Sequence, residues 1–322
     1  MTDGLHIMIE TPAHAGSRSG NRVTAERWQA ILRRAGHRVT ITTGEDARSA
    51  ELLVAIHAWR SAEAIARFRR HDPEKPIVLC LSGTDIYAYQ NSHPEATLGS
   101  MAAATVLVGL HDLVGRSIPD PFRSKLQIIH QSALSVERQP AAPDAFDICV
   151  IGHLRAEKDP LRTAAAARLL PERSRVRIAH VGRAMDESWA AKARTEMAKN
   201  ARYQWQGEVS RDAVRQLLAT TRLMILSSVM EGGANVLGEA IAAGVPVLAS
   251  AIDGSLGLLG ADYPGTFPVG DTAALARMLE RAENDPAFLA DLTARCAARA
   301  PLFTADREQA AWARLVAKVI GY

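Results

Sequence analysis

Short apolar runs alternate with helical patterns along this chain, and the alternation is interrupted once. Candidate strands occupy Leu5–Glu10, Arg38–Thr42, Leu52–His57, Ile77–Leu81, Thr105–Gly109 and Leu126–His130. Between the first two, Val23–Ala35 carries apolar residues at helical spacing, and Gly36 is placed as a helix stop. Gln139-Pro-Ala-Ala-Pro143 then breaks all periodicity and reads as a linker. The alternation restarts at Asp147–Ile151, Val176–Val181, Leu223–Ser228 and Val245–Ser250. Strands alternating with helices imply parallel sheets covered on both faces. Two such blocks predict an α/β fold of two doubly wound, Rossmann-like domains, residues 1–140 and 141–304, facing across a cleft. The last helix, Ala305–Ile320, has no strand after it, so residues 305–322 are expected to cross the domain junction.

The totals fit that reading. At 322 residues, 48% hydrophobic and 23% charged, the chain can bury two cores. Aromatics make up only 5%, which argues against stacking platforms for single-stranded nucleic acid, and the net charge of +3 is small. Cys80, Cys149 and Cys296 have neither metal-ligand nor redox spacing and read as reduced core residues. No signal peptide is visible in MTDGLHIMIE and no apolar stretch is long enough for a bilayer. A cytoplasmic protein without stable membrane insertion is expected.

In doubly wound sheets ligands bind beyond the carboxyl ends of the strands, which confines the search to the loops there. The richest is in Ser227-Ser-Val-Met-Glu-Gly-Gly-Ala-Asn-Val-Leu-Gly-Glu-Ala-Ile-Ala-Ala-Gly-Val-Pro-Val-Leu-Ala-Ser250. Glu231 lies in the loop, Gly232 and Gly233 let backbone approach a ligand, and a helix starts near Asn235 with Glu239 about one turn in. One carboxylate can bind a sugar hydroxyl and the other a second hydroxylated ring. Helix-dipole pairing for Glu231 and a solvated face for Glu239 are the plain alternatives. A second loop, Val150-Ile-Gly-His-Leu-Arg-Ala-Glu-Lys-Asp-Pro160, brings His153, Arg155 and Lys158 to the end of a strand. Cations at such a position can meet an anionic ligand. An ordinary helix start with surface charges is the alternative.

In the first block, Pro12-Ala-His-Ala-Gly-Ser-Arg-Ser-Gly-Asn-Arg22 leads into a helix. Arg18, Gly20, Asn21 and Arg22 suit an anion there, and a surface loop is the other reading. His57 ends one apolar run and Ser82-Gly-Thr-Asp85, with Thr84 and Asp85, ends another. Both read equally as structural groups, Asp85 as a helix cap. There is no GxGxxG, no P-loop, no Gly-x-Ser-x-Gly, no Asp-x-Asp pair and no histidine cluster. No metal and no cofactor are expected.

Glu231, seven intervening residues, Glu239 and the run Glu-Ala-Ile-Ala-Ala-Gly-Val-Pro-Val resemble the donor-site signature of family 4 glycosyltransferases of GT-B architecture. The resemblance implies that Glu231 contacts the transferred sugar, that Glu239 holds the ribose hydroxyls, and that the backbone of Gly233, Ala234 and Asn235 touches the sugar. It implies a diphosphate held by Lys158. His153 stands where the family has an arginine, and Arg155 is the candidate substitute. Gly207-Glu-Val-Ser resembles the turn beside the nucleobase, with Val209 against uracil. His57, Thr84 and Asp85 fall where the family faces sugar or acceptor. The Asn-Gly turn expected near Ile128-Ile-His-Gln-Ser132 is missing.

Within that family, Ser-Gly-Asn-Arg-Val-Thr-Ala, Ser-Gly-Thr-Asp and Gly-His-Leu-Arg-Ala-Glu-Lys-Asp-Pro are similar to a short branch of selenosugar synthases. That resemblance implies a UDP-hexose such as UDP-GlcNAc or UDP-glucose as donor and selenophosphate as acceptor. Arg18, Arg22 and the Gly20–Asn21 backbone would hold the phosphoryl oxygens. Rival readings are a transferase with an alcohol, lipid or saccharide acceptor, a two-domain binding or regulatory protein, and a nucleotide-sugar epimerase.

Overall fold

The computed structural model describes residues 4–17, 19–44, 50–140 and 142–321. Arg18 therefore lies outside the described residues. Two all-parallel, six-stranded sheets organise the chain. The first comprises β1 (His6–Glu10), β2 (Arg38–Thr42), β3 (Leu52–Ile56), β4 (Ile77–Cys80), β5 (Val106–Gly109) and β6 (Leu126–Ile128), in the order β2-β1-β3-β4-β5-β6. The second comprises β7 (Phe146–Ile151), β8 (Val176–Val181), β9 (Tyr203–Trp205), β10 (Leu223–Leu226), β11 (Val247–Ser250) and β12 (Thr266–Phe267), in the order β12-β11-β10-β7-β8-β9. The doubly wound α/β expectation holds for both. β9 and β12 are additions to the strands read from the sequence.

Side chains of a strand alternate between faces, so a strand covered on both sides must be apolar throughout. The first sheet shows the division. Ile7, Ile9, Val54, Ile56, Val78 and Cys80 pack on one face with Trp28, Leu32, Trp312 and Leu315. Met8, Leu53, Ala55, Ile77 and Leu79 pack on the other with Ile65, Phe68 and Met101. All three cysteines are reduced and buried.

The chain divides into two compact units. The first runs through Ser132 and adds Glu231–Ala234 and the stretch from Ala305; the second takes Ala133–Met230 and Asn235–Thr304. The change of unit thus falls ahead of the proline-rich stretch. The reason is local bonding: Ala133 N–H donates to Phe303 O and Gln139 N–H to Ala219 O, both at 3.0 Å. The Arg138 guanidinium donates to the Leu218 and Thr221 carbonyls. The final helix, Ala305–Ile320, belongs to the first unit. Its Trp312 meets Trp28 edge-on at 4.6 Å, and its buried Glu308 accepts from Trp28 Nε1 at 2.9 Å and Ser132 N–H at 2.8 Å. No helix among the described residues is long and apolar enough to cross a membrane.

Candidate active site

In the second sheet the strand order reverses between β7 and β10, because β8 lies on one side of β7 and β10 on the other. Such a switch point opens a crevice at the carboxyl ends. A pocket sits there, lined by Gly152, His153, Lys158, His180, Ser227 and Ser228 among others. The Lys158 loop is a short 3-10 turn, Ala156–Lys158, closed by Asp159 in a left-handed conformation at φ 42°. β10 fastens it from across the switch. Ser227 Oγ–H lies within bonding distance of the Lys158 and Asp159 carbonyls, at 3.2 and 2.9 Å, and Val229 N–H donates to Glu157 O at 2.8 Å. The aliphatic stem of Lys158 runs beside Gly152, where an added methyl would lie 3.9 Å from Cδ.

Cations gather around this pocket. Burial lowers the His153 pKa; Glu208 opposes the shift, and Arg183, Arg155 and Lys158 add to it. Arg155 is half-exposed, its Nε 3.9 Å from Glu157 and without a hydrogen bond. On the β8 side, Tyr203 Oη–H donates to His180 Nδ1 at 2.8 Å, so His180 Nε2–H donates to Gly152 O at 3.2 Å. Gly182 N–H donates to Gly207 O at 2.7 Å, and Trp205 Nε1–H to Gly182 O at 2.8 Å. The turn carrying Val209 is thereby tied to the same neighbourhood. Sequence reasoning missed Ser227, His180 and Arg183, although all three stand at carboxyl ends of strands.

Glu239 is half-buried on the helix Asn235–Ala242 of the second unit. Glu231, Gly232, Gly233 and Ala234 cluster with the first unit, and Glu231 is 9% exposed. The room beside the two glycines is filled by the chain itself. A methyl on Gly232 would lie 2.3 Å from Gly83 N, and one on Gly233 would lie 2.4 Å from Leu110 Cβ. Packing against their own unit thus demands glycine here, in addition to any ligand.

In the first sheet the order reverses between β1 and β3. Ser19 caps the helix Gly20–Arg34, accepting from Arg22 N–H at 3.4 Å, which places Gly20 and Asn21 in its first turn. Arg22 Nε donates to Glu26 at 2.8 Å. His57, after β3, is 2% exposed and held at φ 80°, an uncommon conformation for a side-chain-bearing residue. Arg60 N–H donates to its Nδ1 at 3.2 Å, so Nε2–H donates to Thr84 Oγ1 at 3.0 Å. Burial lowers the His57 pKa against the nearby Asp85 carboxylate. Asp85 is fully buried and accepts four backbone N–H groups, from Ala58, Ser82, Gly83 and Ile86. Its carboxylate turns inward and fastens the loop after β4 to the loop after β3. Among the described residues no group of three or more His, Cys, Asp or Glu could hold a metal ion.

Two Rossmann-like halves with a basic pocket at a switch point define the GT-B architecture. Anabaena HepE, solved with UDP and glucose, is 14% identical with a TM-score of 0.76, covering 98% of this chain and 100% of its own. Sucrose-phosphate synthase from Thermosynechococcus elongatus is 15% identical at 0.78, covering 98% and 99%. A glycosyltransferase from Rickettsia africae is 11% identical at 0.74, covering 99% of each chain. A search of curated proteins gave no significant match. The profile of the glycosyl transferases group 1 matches residues 134–302, and the chain belongs to that family. It is a glycosyltransferase.

Proposed function

We propose that this glycosyltransferase takes a hexose from a UDP-sugar and delivers it to selenophosphate. The observation that carries the donor half is the pocket at the β7–β10 switch point, where Lys158 lies beside Gly152 in a loop pinned by Ser227. A diphosphate gains negative charge as it leaves, and a preorganised cation lowers that barrier. Anabaena HepE, of the same fold, has been solved with UDP and with UDP-glucose. In this reading Lys158 and Arg155 meet the diphosphate, Glu239 the ribose hydroxyls and Val209 the uracil. Glu231 faces the transferred sugar beside the Gly232–Asn235 backbone. The side chains and helix termini meet the phosphate charge without a metal.

The acceptor half rests on the Ser-Gly-Asn-Arg-Val-Thr-Ala and Ser-Gly-Thr-Asp segments and their resemblance to selenosugar synthases. In this reading Arg18, Arg22 and the amides of Gly20 and Asn21 would hold the phosphoryl oxygens, and His57 and Thr84 belong to the same unit as Gly20 and Asn21. Selenium attacks the anomeric carbon as its bond to UDP oxygen breaks and UDP departs. Water then cleaves the selenium–phosphorus bond, releasing phosphate and leaving a 1-selenosugar. Mass spectrometry of a reaction holding UDP-GlcNAc or UDP-glucose and fresh selenophosphate tests this. A selenium-bearing hexose with one UDP per turnover is expected. Its absence, with an alcohol, lipid or saccharide glycosylated instead, overturns the acceptor and leaves the donor assignment standing.

A further inference from the structure

We propose that His153 serves the donor site as a neutral, directed hydrogen-bond donor to the diphosphate, its proton placed on Nε2 by the backbone N–H of Arg183. The inference rests on the nucleotide-sugar reading above. The Arg183 N–H donates to His153 Nδ1 at 3.1 Å. A neutral imidazole with Nδ1 accepting must carry its hydrogen on Nε2. The ring lines the same pocket as Lys158, at the carboxyl end of β7.

Its loop is held from behind with little freedom. His180 Nε2–H bonds Gly152 O, Leu154 N–H donates to Arg183 O at 2.9 Å, and Met185 N–H donates to Leu154 O at 3.1 Å. Gly182 closes the fit, since a methyl there would lie 2.0 Å from Gly152 O. The loops after β7 and β8 therefore run as one ribbon, and the Arg183 amide cannot leave Nδ1 without breaking it. Arg155, Lys158 and Arg183 act on the ring against Glu208, and burial acts with the cations to keep it uncharged. What the imidazole offers an anion is consequently an N–H in a fixed direction. The lysine and arginines supply the charge.

The test pairs nitrogen-15 NMR of the histidine rings with calorimetry, using UDP and uridine as probes. In the wild type the His153 signal should show hydrogen on Nε2 and move on adding UDP but not uridine. Arg183→Ala keeps the backbone N–H and should keep that tautomer. His153→Gln places an amide N–H near the Nε2 position and should bind UDP within a few-fold of wild type. His153→Asn places its N–H nearer Nδ1 and should weaken UDP about tenfold or more, as for a lost bond to a charged acceptor. Uridine affinity should change in neither. Hydrogen on Nδ1, a ring signal indifferent to UDP, or equal UDP affinity in the two variants overturns the inference alone. A wild type that fails to bind UDP overturns the nucleotide-sugar reading with it.

Discussion

Gly83 and Gly232 approach so closely that neither has space for a side chain. A methyl on Gly83 would lie 2.5 Å from Gly232 N, and one on Gly232 would lie 2.3 Å from Gly83 N. Gly83 also sits at φ 112°, outside the range of ordinary L-residues. Gly83→Ala should therefore destabilise the fold by about 2 kcal/mol or more through strain and overlap together. Gly16→Ala is the control, because Gly16 has φ 81° but open space beside it, and it should cost about 1 kcal/mol. Chemical denaturation of the two variants measures the difference; equal losses would show that overlap contributes nothing.

Lys158→Ala should weaken the nucleotide-sugar and slow turnover while the fold persists. A hydrogen bond to a charged group contributes roughly 1.5–3 kcal/mol, which corresponds to about ten- to a hundred-fold. Steady-state kinetics with a circular dichroism check would reveal it. Arg155→Ala should show a similar defect if both cations meet the diphosphate, and unchanged kinetics in either variant would remove that residue from the site.

The two acidic residues should fail differently. Glu231→Gln is expected to lower mainly the rate, because in the proposed reading its charge faces the carbon that becomes cationic. Glu239→Ala is expected to lower mainly UDP affinity, through lost ribose hydrogen bonds. Calorimetry separates them, and normal UDP affinity in the Glu239 variant would contradict its role.

Acid should loosen the second unit through His180. Burial lowers this ring to about 4 from an ordinary 6.5, with the bond to Gly152 pulling the other way. Between those values the unfolded chain binds a proton that the folded chain refuses. Stability is thus full above pH 6.5 and falls as pH drops toward 4, by about 3 kcal/mol for this one group. His37, His57 and His153 are also lowered and act with the same sign. Urea titrations at stepped pH should show a shallower slope in His180→Gln, and an unaltered slope would exclude His180 as the cause.

Chelator should leave turnover intact, since the proposed chemistry meets phosphate charge with side chains and helix termini. Activity lost in EDTA and restored by a divalent cation would overturn that expectation.

Much of this architecture was legible because strands covered on both faces must be apolar runs. Tyr203–Trp205 and Thr266–Phe267 escaped notice because strands of three and two residues at sheet edges carry no periodicity. The expected strand Leu223–Ser228 stops at Leu226, and Ser227 turns its hydroxyl to the Lys158 loop. Lys158, His153 and the Glu231–Glu239 pair stood out as candidates from their motifs. His180 and Arg183 did not, because their relevance arises from β8 lying beside β7, a neighbourhood made by topology. Asp85 looked like a group that could meet a ligand, but its carboxylate is buried and accepts four backbone N–H groups, three from its own loop and one from Ala58 after β3. The glycines of the Glu231 loop looked like ligand clearance, and packing supplies a further reason for them, since Gly83 and Leu110 fill the space that a side chain would take.

The helix Ala305–Ile320 bears on how the chain comes to be folded during synthesis. Trp312, Leu315 and Glu308 complete the core that begins with Ile7 and Trp28. Ribosomes deliver those residues only after the whole second unit has emerged. Domains are generally completed in order from the amino terminus. Here that order is reversed for the finishing step: the amino-terminal core waits with an apolar face uncovered until residues 305–320 have been made. A nascent chain arrested before residue 305 should therefore carry a protease-resistant second unit behind a cleavable first one.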